Sequence, residues 1–284
     1  MNRDHLKHYL PDLKAIQESH FSLDQRITGF HATCIDSENT PLGSGTHFNR
    51  EMAHTIAVAE SVERKIFESL YKSSLKSDYM LDLYPSTCGF AVGNQKHEAR
   101  QRSIAEAIER WLRSKWIDDN YALVELTPPI DSFDPYQQSV FSFFDQVRAF
   151  QHTATIIFNS EPSHYHSLIV VGLKDQGAFV GSRTSLNPHD LWSHALTEAW
   201  RHLHISQNIS RYPTTFDYQI IEHFAQHADQ AFNQIAAATR PGLPAPNILL
   251  HKEVETPFAD LFCFRTLCED FKGWHEKDIQ RFVY

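Results

Sequence analysis

Long apolar runs, paired cysteines and basic charge are all scarce in this chain of 284 residues. The longest strongly apolar stretch lies near residues 167–173, far short of the ~20 residues that span a bilayer, so no membrane-spanning helix is expected. Residues 1–10 carry charge without an apolar segment, and no secretory signal is read there. The four cysteines, Cys34, Cys88, Cys263 and Cys268, form no CxxC pair; reduced thiols in a cytoplasmic protein are expected. Lys and Arg total 26 against 35 Asp and Glu, a net charge of −9 that argues against wrapping nucleic acid. An anionic small ligand is still allowed, because local groups and metal ions override net charge. There is no GxxxxGK[ST] phosphate loop and no HRD or DFG set. No low-complexity linker divides the chain, and its Pro-rich stretch, residues 240–246, reads as a surface loop.

What is present is core material. Apolar residues make up 42% of the chain, with 20 Phe, and a chain of this size buries roughly three quarters of its unfolded surface. One continuous domain over residues 1–284 is expected. Periodicity predicts strands at residues 26–35, 121–126, 153–159, 166–173, 178–182, 247–251 and 260–265. It predicts helices at 49–71 with Asn49 as N-cap, 95–117, 136–150, 188–207 with Asn187 as cap, and 218–238. The mixture implies an α+β fold, long helices packed against mixed sheets.

The informative feature is an internal repeat. Ala59-Glu60-Ser61-Val62-Glu63-Arg64 is echoed by Ala105-Glu106-Ala107-Ile108-Glu109-Arg110. Gly43-Ser44-Gly45 precedes the first copy, and Gly89 and Gly93 precede the second. A weaker third copy, Ala195-Leu196-Thr197-Glu198-Ala199-Trp200-Arg201, follows Gly181-Ser182 and keeps one Glu. Carboxylates three apart share a helix face, where like charges destabilise an isolated helix by a few tenths of a kcal/mol. Their neighbours Ile56, Ala57, Ile108 and Trp111 are apolar, and a partly buried carboxylate needs a cation or a hydrogen-bond donor. Four carboxylates need more cation than Arg64 and Arg110 supply. Mg2+, which takes one or two carboxylates and completes its shell with water and phosphate oxygens, answers that need. The pattern thus suggests two Glu-bearing helices around a nucleotide triphosphate. A solvated helix face has the same spacing, and the pattern alone leaves both readings open.

At this point the chain resembles the YcaO superfamily. Three blocks carry the resemblance: Gly43-Ser44-Gly45 with Ala53 and Glu60–Arg64; Ser86-Thr87-Cys88-Gly89-Phe90-Ala91-Val92-Gly93-Asn94 with Glu98, Ala99 and Ala105–Arg110; and Gly181 with Ala195–Ala199. They span residues of about 43–199. The resemblance implies ATP with Mg2+ as cofactors and O-phosphorylation of a peptide backbone amide. Attack by a Cys, Ser or Thr side chain then gives an azoline; sulfide gives a thioamide and an amine an amidine. It implies biosynthesis of ribosomal peptide natural products. By position, Glu60, Glu63, Glu106 and Glu109 would hold Mg2+, while Ser86, Gly89, Asn94, Gln95, Glu98, Arg110 and Arg64 would lie at the nucleotide. No residue is assigned as a covalent catalyst.

The chain departs from the family's pattern at Ser44, where a Lys is common, at Ile56, where a Ser is common, and at Arg201, where a Gln is common. Azoline-forming members commonly end in a Pro-rich tail, whereas this chain ends Gln280-Arg281-Phe282-Val283-Tyr284. A fused leader-binding domain is not expected, so the partners implied are a precursor peptide and a separate ThiF-like or TfuA-like protein; a homodimer is left open. The rival reading is a non-catalytic ATP-binding partner subunit. Elsewhere, His223 and His227 have a chelating spacing without the HExxH glutamate. They are read as surface or cap residues, Cys88 as a packing residue, and Trp111, Trp116, Trp192 and Trp200 as core.

Overall fold

A computed structural model describes residues 8–23, 27–158, 161–211, 216–270 and 278–282. Arg26, where the first strand was expected to begin, residues 1–7 and the terminal Val283-Tyr284 lie outside them. The strands are β1 (Leu13–Leu23), β2 (Ile27–Asp36), β3 (Pro41–His47), β4 (Phe90–Gly93), β5 (Val124–Leu126), β6 (Gln146–Phe158), β7 (Glu161–Lys174), β8 (Gly177–Ser185), β9 (Ile248–Val254) and β10 (Phe262–Cys268). The α-helices are α1 (Arg50–Tyr71), α2 (Lys96–Arg113), α3 (Pro135–Phe143), α4 (Leu191–Gln207), α5 (Phe216–Phe224) and α6 (Ala228–Ala237). The fold is α+β, as the sequence implies.

The chain groups into two units of interleaved segments. The first takes Met1–Ser22, Thr28–Ala107 and Ile248–Cys268; the second takes Leu23–Ile27, Ile108–Asn247 and Glu269–Tyr284. The first unit holds two three-stranded sheets, β1-β2-β3 and β4-β10-β9. Helix α1 begins where expected, with the Asn49 side chain accepting from Met52 N at 3.1 Å. Its apolar stripe of Ala53, Ala57, Val62, Ile66 and Leu70 packs with Ala32 and Cys34 of β2, Phe90 and Val92 of β4, and Cys263 of β10. Small residues at the upper end of the stripe let the helix lie close against the strands.

The second unit is built on the sheet β5-β6-β7-β8, an antiparallel meander. Helix α4 buries Ala195, Leu196, Ala199, Trp200 and Leu203. Asn187 caps the 3-10 turn ahead of it, accepting from His189 N. Trp111, Trp116 and Trp200 are buried and Trp192 is half-buried, and the four cysteines are buried thiols without a disulfide. Among the described residues no helix is long and apolar enough to cross a membrane.

Four differences from the periodic reading have identifiable causes. β1, β3 and β4 were not expected: β3 carries Gly43 and Gly45, which weaken intrinsic strand preference. The helix expected over 136–150 stops at Phe143 because Asp145 N–H donates to Leu173 O at 2.8 Å, starting the sheet. The helix expected over 218–238 breaks at 225–227, where Ala228 N–H is diverted to Gln176 O at 3.0 Å. The helix expected over 95–117 is α-helical to Arg113 and continues as a π turn, Ser114–Asp118.

Candidate functional site

In the first unit the site grows from the two glycines of β3. A Cβ at Gly43 would lie 2.5 Å from Ser61 N, and one at Gly45 would meet Ala53 O and lie 2.5 Å from Ala57 N. Strand and helix backbones therefore touch. That closeness lets the Glu60 carboxylate reach across and accept from Ser44 N–H at 3.0 Å. Arg64, one turn on, donates to the other oxygen of Glu60 at 2.5 Å. Glu63 reaches β4 instead, accepting from Val92 N–H at 2.9 Å, with Arg102 Nη2 3.6 Å away. The Glu63 carboxyl is pushed up to about 8, chiefly by burial and further by the negative charges of Glu106 and Glu60, against the pull of Arg102 and Val92 N–H. These three carboxylates, Glu60, Glu63 and Glu106, thus share one electrostatic neighbourhood.

The turn before β4 is fixed by its carbonyls. Gly89 has φ +75°, and a Cβ there would strike Thr266 O. Its own carbonyl accepts from Ser103 Oγ at 2.7 Å and from Thr266 N–H at 2.9 Å. Tyr84 O accepts from Ser86 N–H at 2.8 Å and from Arg265 Nη2 at 2.7 Å. Arg265 is fully buried, its guanidinium 4.9 Å over the Phe90 ring, and burial lowers its pKa to about 10. Ser86 Oγ is buried with no partner among the described residues. Asn94, Gln95 and Glu98 are exposed at the start of α2.

The third sequence copy is a structural copy in the second unit. A Cβ at Gly181 on β8 would strike Ala195 O and lie 2.6 Å from Ala199 N of α4. Glu198 accepts from Ser182 N–H at 2.6 Å, as Glu60 does from Ser44, with the same separation of 16 residues. Glu109 sits here too, 3.3 Å from Arg113. Arg110 lies on the same helix, half-buried. Sequence reasoning missed Arg102, Arg265 and the Ser103–Thr266 pair, whose partners lie far along the chain, and Arg113, which its burial alone distinguishes from an ordinary helix pair. The repeat gave a signal for Ser182 and Glu198.

The family model described as YcaO cyclodehydratase, ATP- and Mg2+-binding, matches residues 71–272. The chain belongs to the YcaO family. ATP and Mg2+ are therefore its cofactors. The matched span holds Glu106 and Glu109 and begins after Glu60 and Glu63. Fold similarity reaches further: YcaO from Methanopyrus kandleri, solved with AMPPCP and Mg2+, matches with a TM-score of 0.61 at 11% identity, over 96% of this chain and 92% of that one. The E. coli microcin synthetase McbBCD complex with pro-MccB17 bound matches at 0.58 and 13% identity, over 89% and 88%. A heterocyclase in complex with substrate and cofactor matches at 0.60 and 11%, over 95% of this chain and 52% of that one. A comparison with curated proteins gives no match.

The first unit's carboxylates suit Mg2+ in this YcaO chain. Among the described residues no three His, Cys, Asp or Glu side chains converge to hold a metal alone. Mg2+ bound with a nucleotide does not need three, since phosphate and water oxygens fill its shell. Glu63, buried beside two further negative charges, lacks the full cation it needs to ionise at neutral pH. Metal bound at this carboxyl would displace a proton from it below about pH 8. We expect affinity for Mg·ATP to rise by up to about tenfold per pH unit from pH 6 towards 8 and then level off. Calorimetry in buffers of differing ionisation enthalpy checks this: a pH-independent affinity with no proton release contradicts it.

Proposed function

We propose that this YcaO chain is an ATP- and Mg2+-dependent enzyme that activates a backbone amide of a ribosomally made peptide by O-phosphorylation. Residues 1–284 then act as one YcaO-like domain in a cytoplasmic setting. The observation that supports it most is Glu63, a carboxylate held 2.9 Å from Val92 N–H and made costly to ionise chiefly by its burial and further by Glu106 and Glu60. A scaffold has no use for such an arrangement, whereas a metal–nucleotide site does. Bound Mg·ATP supplies the phosphoryl group and the charge neutralisation on which this transfer depends. The protein's part is positioning. Glu60, held by Ser44 N–H, and Glu63, held by Val92 N–H, present carboxylate oxygens in fixed directions, with Glu106 beside them. Ser86, whose buried hydroxyl has no partner among the described residues, and Gly89 shape the turn towards the nucleotide, and Asn94, Gln95, Glu98, Arg64 and Arg110 contribute polar contacts to it.

Cyclodehydration to an azoline is the leading outcome, with thioamide or amidine formation as its variants. The McbBCD match is a complex with pro-MccB17 bound, which supports a separate leader-binding partner, ThiF-like or TfuA-like, here. The purified chain with Mg·ATP and a cognate precursor should release ADP slowly, and orders of magnitude faster once the partner is added, because capture of a leader raises local substrate to roughly millimolar. Mass spectrometry of the peptide separates water loss from sulfur incorporation. The companion measurement is thermal stability: Mg·ATP at ~100 times its Kd should add about 2.7 kcal/mol. No stabilisation at any Mg·ATP concentration would sink the proposal. Stabilisation without ADP release in the presence of partner and peptide would favour the non-catalytic reading instead.

A further inference from the structure

In the second unit a guanidinium stands between two carboxylates. Arg113 follows Glu109 by one helical turn, so both project from one face of α2. Its Nη2 lies 3.3 Å from Glu109 Oε1 and 3.9 Å from Glu198 Oε2, and it also donates to Ser182 Oγ. Glu198 is fixed independently by Ser182 N–H at 2.6 Å. Three residues with separate places in the chain thus converge on one cation.

The burial of that cation sets it apart. The Arg113 side chain is 5% exposed, against 45% for Arg64 at Glu60 and 48% for Arg102 at Glu63. An exposed arginine can swing into water when a metal ion approaches its carboxylate. A buried one cannot leave without stranding its own charge and both carboxylates. The surroundings add further positive charge at Arg201. Arg201 Nη2 donates to His202 Nε2 at 2.7 Å, and His202 Nδ1 donates to Val180 O at 2.6 Å, an arrangement that fits a neutral ring. The repeat shows the same shift: three residues after Glu60 stands Glu63, and three after Glu198 stands Arg201. A divalent ion at Glu109 would therefore face a fixed like charge at close range.

We propose that Arg113 is a permanent counter-cation that fills the cation position of Glu109 and Glu198, so that divalent metal is taken in the first unit, where Glu63 lies, and not by Glu109. This rests on the metal reading of the first unit given above. Arg113 is then a positioning residue, holding two carboxylates that would otherwise compete for Mg2+.

The test is Mn2+ binding to the full chain in the presence of a non-hydrolysable ATP analogue, read by electron paramagnetic resonance. Glu109→Gln should leave Mn2+ affinity within about twofold of the parent, well below the roughly tenfold that even an outer-shell loss costs, whereas Glu63→Gln should lower it by at least about tenfold. Equal losses in the two variants overturn the proposal while leaving the metal reading in place. No loss in either overturns the metal reading. Should Glu109→Gln fail to fold, the triple variant Glu109→Gln/Arg113→Met/Glu198→Gln replaces the whole ion cluster and reads the same affinity. A tenfold loss there again overturns the proposal.

Discussion

Gly181→Ala is expected to unfold or grossly destabilise the protein, although it adds one methyl group on a buried strand. The new Cβ would strike Ala195 O and lie 2.6 Å from Ala199 N, both backbone atoms of α4. Backbone cannot rotate aside as a side-chain tip can, so strand β8 and helix α4 must separate along their contact. Overpacking of this kind costs about 1–3 kcal/mol and more where relaxation is blocked, and here it is blocked on both sides. Separation would also lengthen the 2.6 Å bond from Ser182 N–H to Glu198. Gly93→Ala is the internal control, since its Cβ would find its nearest neighbour, Ala99 Cβ, at 3.5 Å. Urea unfolding should show a large fall in midpoint for Gly181→Ala and almost none for Gly93→Ala. Equal midpoints would show that the strand–helix approach is softer than the structure indicates.

Glu63→Gln should abolish Mg2+-dependent nucleotide binding without weakening the fold. The parent carboxyl, pushed up to about 8, is mostly protonated at neutral pH in the free protein, and a neutral amide of the same shape mimics that state. Its carbonyl oxygen can still accept from Val92 N–H, which is 2.9 Å from the present carboxylate oxygen. The sign of the pH effect follows from the raised native pKa. The native state keeps a proton that the unfolded chain has released, so the parent loses stability as pH climbs from about 4.5 towards 8. The variant has no such proton and should lack that decline. Binding, on the function proposed above, needs the charge, and its loss should exceed about tenfold. Thermal unfolding across pH 5–9 with and without Mg·ATP tests both halves. A variant that unfolds at pH 7 would mark Glu63 as a structural ion-pair member instead.

Local chemistry made much of the helical framework legible in the sequence. Asn49 opens α1 and Asn187 opens the turn before α4 as their side-chain chemistry predicts, and the spacing of Ala53, Ala57 and Val62 marks a buried stripe. The repeat placed Glu60, Glu63, Glu106 and Glu109 on helices, and it pointed at Glu198. Three strands escaped notice for physical reasons. β3 is glycine-bearing because a helix lies on it, β4 is only four residues long, and β1 alternates too weakly to betray a sheet. The counter-cations escaped for another reason. Arg102 answers Glu63 across 39 positions and Arg113 answers Glu198 across 85, and no window of neighbouring residues can announce such pairs. Even Arg113 with Glu109, only four apart, looks in sequence like an ordinary solvated helix pair; its burial is what distinguishes it.

The bond from Ser44 to Glu60 is made by the main chain, and that changes which kind of variation the position can tolerate. Nothing in the 3.0 Å contact involves the serine hydroxyl. Side-chain replacement at 44 therefore leaves it intact, and the identity of the side chain there does not disturb the seat of Glu60. Proline alone among the coded residues deletes the donor. Saturation mutagenesis would accordingly record a permissive site with one forbidden letter, flanked by two glycines intolerant of nearly everything. An amide-to-ester replacement between Gly43 and Ser44, introduced by chemical ligation, would remove the donor with the side chain untouched and expose a dependence that no alignment column can register.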